Sequence, residues 1–237
     1  MRQLRILAAF GLLGAASVAN AGVSSTWTAA SDYDFRGITQ SAQDPAIQGS
    51  IDWATDSGWY VGAWGSNVDF GDADVDLEVD LYTGFSGTSG GGLGYDVGLV
   101  YYAYPDDNDF DYVEAYGSIS KDWFKAKLWY SPDFGGDTTD GNTSAFYAEA
   151  NGTFPLPQNF SVLAHVGYSF GDYWKDADSE YLDYSVGVGY TAGKFNLALK
   201  WVDGSDLEVA DGTPGDVFSS ESRVIFTVAT TFPWKND

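Results

Sequence analysis

The chain contains no cysteine. That excludes disulfides, thiolate nucleophiles and cysteine-based metal sites. It contains a single histidine, His165, so any Ser–His or Asp–His catalytic arrangement would have to be built on that residue. Bases are scarce: 11 Lys and Arg stand against 34 Asp and Glu, a formal net charge of -23. That balance weighs against nucleic-acid binding, which needs a basic footprint. Beyond the N-terminus no apolar run approaches the roughly 20 residues of a membrane helix. Sustained 3.6-residue periodicity is nearly absent.

What is present points elsewhere. Aromatic residues make up 17% of the 237 positions, and an acidic chain this rich in rings is not a disordered, solvating one. The first 21 residues have the layout of a cleaved signal peptide. Arg2 and Arg5 precede the short apolar stretch "ILAAFGLLGAASV", and "ANA" follows as the cleavage pattern. Export is therefore expected, with residues 22–237 as one mature domain.

That domain alternates with period 2 almost throughout. In "FSVLAHVGYSF", residues 160–170, Phe160, Val162, Ala164, Val166, Tyr168 and Phe170 share one face, and Ser161, His165 and Ser169 share the other. Some twelve such segments start near Val23, Pro45, Gly58, Val75, Leu93, Phe110, Trp123, Thr143, Phe160, Tyr181, Lys194 and Ser219. Each runs about ten residues, the length of a tilted strand crossing a bilayer. Short connections such as "TDSG" and "TAGK" alternate with long ones such as "RGITQSAQD" and "SPDFGGDTTDGN". This is the rhythm of an all-β, closed antiparallel transmembrane barrel with tight periplasmic turns and longer, acidic extracellular loops.

The stretch "SDYDFRGITQSAQDPAIQGSIDW", residues 31–53, gives the facing. Asp32, Asp34 and Arg36 alternate with Tyr33 and Phe35. In a bilayer the aromatics would face hydrocarbon and the charges the lumen, and the sheet must close because an open edge cannot be satisfied in lipid. A soluble β-sandwich would also give short strands and turns, but not segments of this length joined by short and long connections in ordered alternation.

This stretch, continued by "GWYVGAWGSNVDFG", resembles the proteobacterial TorF-type porin family. Its S-D-Y-x-F-R-G opening matches at residues 31–37, its P-A-(I/V)-Q-G-S at 45–50, and its G-x-Y-x-G-x-W-x-S-N-V-D at 58–69. "YDVGLVYYAYP" and "LWYSPDFGG" are also similar to it. The resemblance implies an outer-membrane barrel with a pore role, and supplies no catalytic or substrate residues. One departure is the C-terminus: such barrels commonly finish on an aromatic, whereas Phe232 is followed by "PWKND".

By parity the lumen is expected to carry Asp32, Asp34, Asp52, Asp76, Glu78, Asp80, Asp96, Glu114, Glu149 and Asp183, together with Arg36, Lys125, Lys127, Lys200 and Arg223. Two readings stand. The charges pair structurally across a narrow lumen, or they line a pore for small hydrophilic solutes, cation-preferring because acids predominate. A passive structural or adhesion barrel is the alternative. An outer-membrane lipid hydrolase is a weaker one, since His165 sits mid-strand rather than at the rim. No enzymatic activity and no cofactor are expected. The acidic runs "DFGDADVD", "PDDNDFD" and "DADSEYLD" lack full EF-hand spacing. They read as solvated loops, with contact to lipopolysaccharide through divalent cations as the milder functional alternative.

Overall fold

A computed structural model of the chain describes residues 22–138, 143–176, 179–205 and 216–234. The expected signal peptide therefore lies outside the described residues, as do residues 177–178 of the third acidic run.

Fourteen strands are described: β1 (Gly22–Ala30), β2 (Asp34–Phe35), β3 (Ile38–Thr39), β4 (Ala46–Ala54), β5 (Trp59–Asn67), β6 (Leu77–Thr88), β7 (Gly94–Ala103), β8 (Tyr112–Lys121), β9 (Phe124–Ser131), β10 (Ala145–Pro155), β11 (Phe160–Phe170), β12 (Tyr181–Ala192), β13 (Phe195–Gly204) and β14 (Arg223–Phe232). All but β2 and β3 join one closed antiparallel barrel, each strand pairing with its sequence neighbour. Closure is made by β1 and β14, with Trp27 opposite Thr230. The twelve wall strands begin within four residues of the positions read from the alternation.

Connections at one end are short: residues 55–58, 89–93, 122–123, 156–159 and 193–194. Both described termini lie at this turn end. The other end carries the long connections, and is the loop end. Local chemistry sets the turns. Gly58 adopts φ 102°, and a Cβ there would stand 2.2 Å from the Ser86 carbonyl oxygen, so no other residue closes this connection without displacing β6.

Side chains alternate across the wall. On β7, Tyr95, Val97, Leu99 and Tyr101 point out and are exposed, whereas Asp96, Val100 and Tyr102 point in and are buried. The outside is apolar over its whole circumference, including Ile51, Leu81, Leu99, Val186 and Leu199. Aromatic pairs ring both ends of this band. Trp59–Phe85, Trp123–Phe154 and Phe160–Tyr190 lie toward the turns; Tyr130–Phe146 and Tyr184–Trp201 lie toward the loops. A surface this apolar suits hydrocarbon and not water, and paired aromatic girdles are a feature of membrane barrels.

One expectation fails. Residues 31–36 do not extend the first wall strand, and Tyr33 and Phe35 do not face outward. β1 stops at Ala30, and Ser31 makes the last ladder contact, donating its N–H to the Phe226 carbonyl at 2.9 Å. The chain then turns into the barrel. Tyr33 is 2% exposed, and Phe35 packs edge-on against Tyr102. The alternation is real, but it belongs to the arm of a hairpin inside the lumen.

Candidate functional site

The candidate site is the lumen. Its wall is built by a device the alternation does not reveal: tyrosines laid flat over glycines of neighbouring strands. Register brings Tyr60, Gly84, Gly98 and Tyr116 into one row across β5, β6, β7 and β8. The two rings lie over the two glycines and their hydroxyls meet. Tyr60 also donates to Asp96 at 2.7 Å. Tyr82 covers Gly62 in the same way and donates to Asp52 on β4. Tyr147 covers Gly167 and donates to Asp183 at 3.0 Å. Each ring hides backbone that glycine would expose, and keeps the wall low.

Five carboxylates share one sector of the wall, and the wall's cations lie outside it with two further carboxylates among them. Asp52, Glu78, Asp80, Asp96 and Glu114 all lie on β4 to β8. The last four are buried. Asp80 and Asp96 each keep one buried carboxylate oxygen without a hydrogen-bond partner among the described residues. Lys125 and Lys127 lie on β9, Lys200 on β13 and Arg223 on β14. The Lys127 ammonium stands over the rings of Tyr116 and Trp129, 3.6 and 3.5 Å from their centroids. Glu149 and Asp183 lie within the basic sector. Glu149 accepts from Trp129 Nε1 at 2.9 Å and Asn151 Nδ2 at 2.7 Å. Asp76 is the exception. It precedes β6, is exposed at the loop-end rim, and donates its N–H to Asp106. It therefore does not extend the Glu78–Asp80 column down the wall.

Asp32, Asp34 and Arg36 lie on the inserted hairpin, β2 and β3, rather than on the wall. The hairpin crosses the loop end of the lumen and touches walls on opposite sides. Arg223 Nε donates to Asp32 at 2.5 Å, its Nη2 to Asp34 at 2.5 Å, and its Nη1 to the Gly37 carbonyl at 3.0 Å. Tyr33 donates to Glu78 at 3.0 Å, and Tyr181 donates to the Arg36 carbonyl at 3.0 Å. Arg36 Nη2 donates to Glu114 at 2.6 Å, and Tyr102 donates to the same carboxylate oxygen at 2.9 Å. Burial opposes the Arg36 charge, but Glu114 outweighs it and raises the guanidinium pKa above its ordinary value. Above the hairpin, Phe70, Tyr104, Phe110 and Phe218 pack into an aromatic cap.

His165 sits mid-strand on β11. Its Nε2 meets Asp183 at 2.7 Å and Tyr147 at 3.0 Å, and its Nδ1 meets Asn151 at 2.8 Å. Ser185 is its cross-strand neighbour, yet among the described residues the ring's hydrogen bonds go to Asp183, Tyr147 and Asn151 and not to a serine or threonine hydroxyl. The acidic loops direct several carboxylates at their own backbone. Asp69 accepts from Gly71 N–H, Asp107 from Asp109 N–H, and Asp106 from Asp76 and Leu77 N–H. Among the described residues, no group of three or more His, Asp or Glu is gathered to hold a metal ion.

No curated protein matches the chain. Solved structures share its fold. A KdgM porin superposes with a TM-score of 0.56 at 8% identity, covering 90% of this chain and 99% of that one. A NanC porin gives 0.53 at 9% identity, covering 90% and 100%. A KdgM porin in complex with disordered oligogalacturonate gives 0.52 at 7%, again covering 90% and 100%. Residues 15–232 match the family model described as a bacterial protein of unknown function, Gcw_chp, and the chain belongs to that family.

Proposed function

We propose that the protein is an outer-membrane channel for small hydrophilic solutes, of the TorF-type porin kind, with a preference for cations. The observation that carries this reading is the lumen itself. A protein filled only for stability has no need of five lumen carboxylates on one sector, two of them with an oxygen unpartnered among the described residues, because burying charge is costly. This acidic sector sets a negative potential along the passage, strengthened by the low-dielectric wall and weakened by salt. Acids outnumber bases along the wall, which favours cations. The apolar exterior and its aromatic girdles support an outer-membrane location. The shared fold with KdgM and NanC porins supports a channel rather than an enzyme. An anionic chain such as the oligogalacturonate in one of those structures would meet mainly carboxylates here, so a different solute class is expected.

The hairpin makes the described state a narrowed one at its loop end. Passage requires it to move, or solutes to pass beside it. The test is planar-bilayer recording under a potassium chloride gradient. A reversal potential of the sign set by potassium supports the reading, and one set by chloride refutes the cation preference. Absence of conductance from protein that is folded in the bilayer would favour a passive structural or adhesion barrel.

A further inference from the structure

The tip of the lumen hairpin holds an arginine where the backbone disfavours one. Arg36 and Gly37 form the two-residue turn between β2 and β3, with φ values of 54° and 84°. Both positions of such a turn call for Gly, Asn or Asp. A long side chain held at positive φ is strained, and strain of this kind persists where the surroundings over-determine it.

The surroundings of Arg36 have the composition of a receptor. Its guanidinium carbon lies 4.4 Å from the Tyr147 ring centroid, 5.4 Å from Trp129 and 5.9 Å from Phe134. Its Nη2 bonds Glu114, which Tyr102 also engages. Four of these partners come from the barrel wall: Tyr102 on β7, Glu114 on β8, Trp129 on β9 and Tyr147 on β10. A desolvated carboxylate surrounded by aromatic faces recognises planar or alkylated cations. Lys127 shows the same preference a short way along the wall, its ammonium seated on Tyr116 and Trp129. The lumen thus binds two of the chain's own cations by ring faces.

We propose that Glu114, Tyr102, Trp129 and Tyr147 form a binding site on the lumen wall for small guanidinium and alkylammonium solutes, and that Arg36 is its tethered occupant. This rests on the channel reading for its purpose, because a solute of that class would compete with Arg36 and release one of the contacts that hold the hairpin across the passage. The site itself does not depend on conduction and can be tested apart from it.

The experiment vacates the site and refills it. Arg36→Gly removes the side chain and suits the positive φ, so the barrel and hairpin should still form; heat-modifiable migration on gels confirms the fold. Calorimetry of the detergent-solubilised full chain with methylguanidinium should show saturable millimolar binding to Arg36→Gly. Binding should be at least ten-fold weaker in wild type, where the tether competes, and lost in Arg36→Gly with Glu114→Gln. In bilayers, Arg36→Gly should conduct more than wild type, and methylguanidinium should block it. Equal binding to wild type and Arg36→Gly would place the ligand elsewhere and overturn the site. No saturable binding to a folded Arg36→Gly barrel would make Arg36 a structural latch only. Binding without conductance in any variant would retain the site and refute the channel.

Discussion

Arg223 is the point at which the lumen hairpin should be most easily released. Its side chain is 7% exposed and bridges Asp32, 5% exposed, and Asp34, 19% exposed. A third bond runs to the Gly37 carbonyl. Arg223→Gln removes the charge shared by two carboxylates that burial has already separated from water. Breaking one partner out of a buried pair costs about 3–5 kcal/mol, because the remaining charge is stranded. Here the stranded acids have an escape the barrel wall does not: the hairpin can leave the lumen and hydrate them. The loss should therefore appear as undocking rather than unfolding. At about 1.4 kcal/mol per factor of ten, the undocked population should rise by roughly two to three and a half powers of ten. Arg36 makes this measurable. Docked, it is buried and closed to trypsin; released, the Arg36–Gly37 bond becomes a cleavage site. When opening is fast relative to cleavage, the rate follows the open population, so cleavage after Arg36 should accelerate by the same factor while heat-modifiable migration stays intact. An unchanged rate in folded Arg223→Gln would refute the latch. Unfolding of the whole barrel would show that Arg223 supports the wall itself.

Three further outcomes are expected. Leu99→Arg, on the outward face of β7 at mid-strand, should destabilise the protein by about 2–4 kcal/mol in refolding titrations, whereas Lys125→Gln on the lumen side should cost less than about 1 kcal/mol; equal effects would mean the facing is wrong. Gly84→Ala should cost roughly 1–3 kcal/mol through overpacking, because the new methyl would meet the Tyr60 ring and the Val97 carbonyl within 2.6 Å; a neutral result would show that the flat tyrosines are free to lift. Glu78→Gln with Asp80→Asn should lower potassium preference in reversal-potential measurements, most at low salt, and Lys125→Gln with Lys127→Gln should raise it; no change in either would make these charges structural pairs.

The barrel was legible because a membrane wall imposes period 2 on every strand and leaves its signature in each. "VDLEVDLYTGF" carries its facing openly: Leu81 is exposed and Glu78, Asp80 and Tyr82 are buried. The hairpin was not legible because "SDYDF" also alternates. Nothing local distinguishes an arm lying in the lumen from a wall strand; Arg223, nearly 190 residues away, makes the difference. Asp76 misled for a related reason. Its parity matches Glu78 and Asp80, but the strand begins one residue later, and parity says nothing of where pairing starts. The tyrosine–glycine rows needed register, which brings Gly84 opposite Gly98. Only the sequence fragment "FRG" hinted at the tip, since an Arg-Gly pair between short alternating arms is compatible with a tight turn.

If the lumen is a passage, the hairpin at residues 32–41 narrows it. The most direct measurement is single-channel conductance of the wild type beside a variant in which those residues are replaced by a short Gly-Ser linker. Larger and more persistent cation-selective steps in the variant are expected. If both proteins are folded in the bilayer and the two conduct alike, the hairpin does not narrow the passage. If both are silent, the lumen is not a passage.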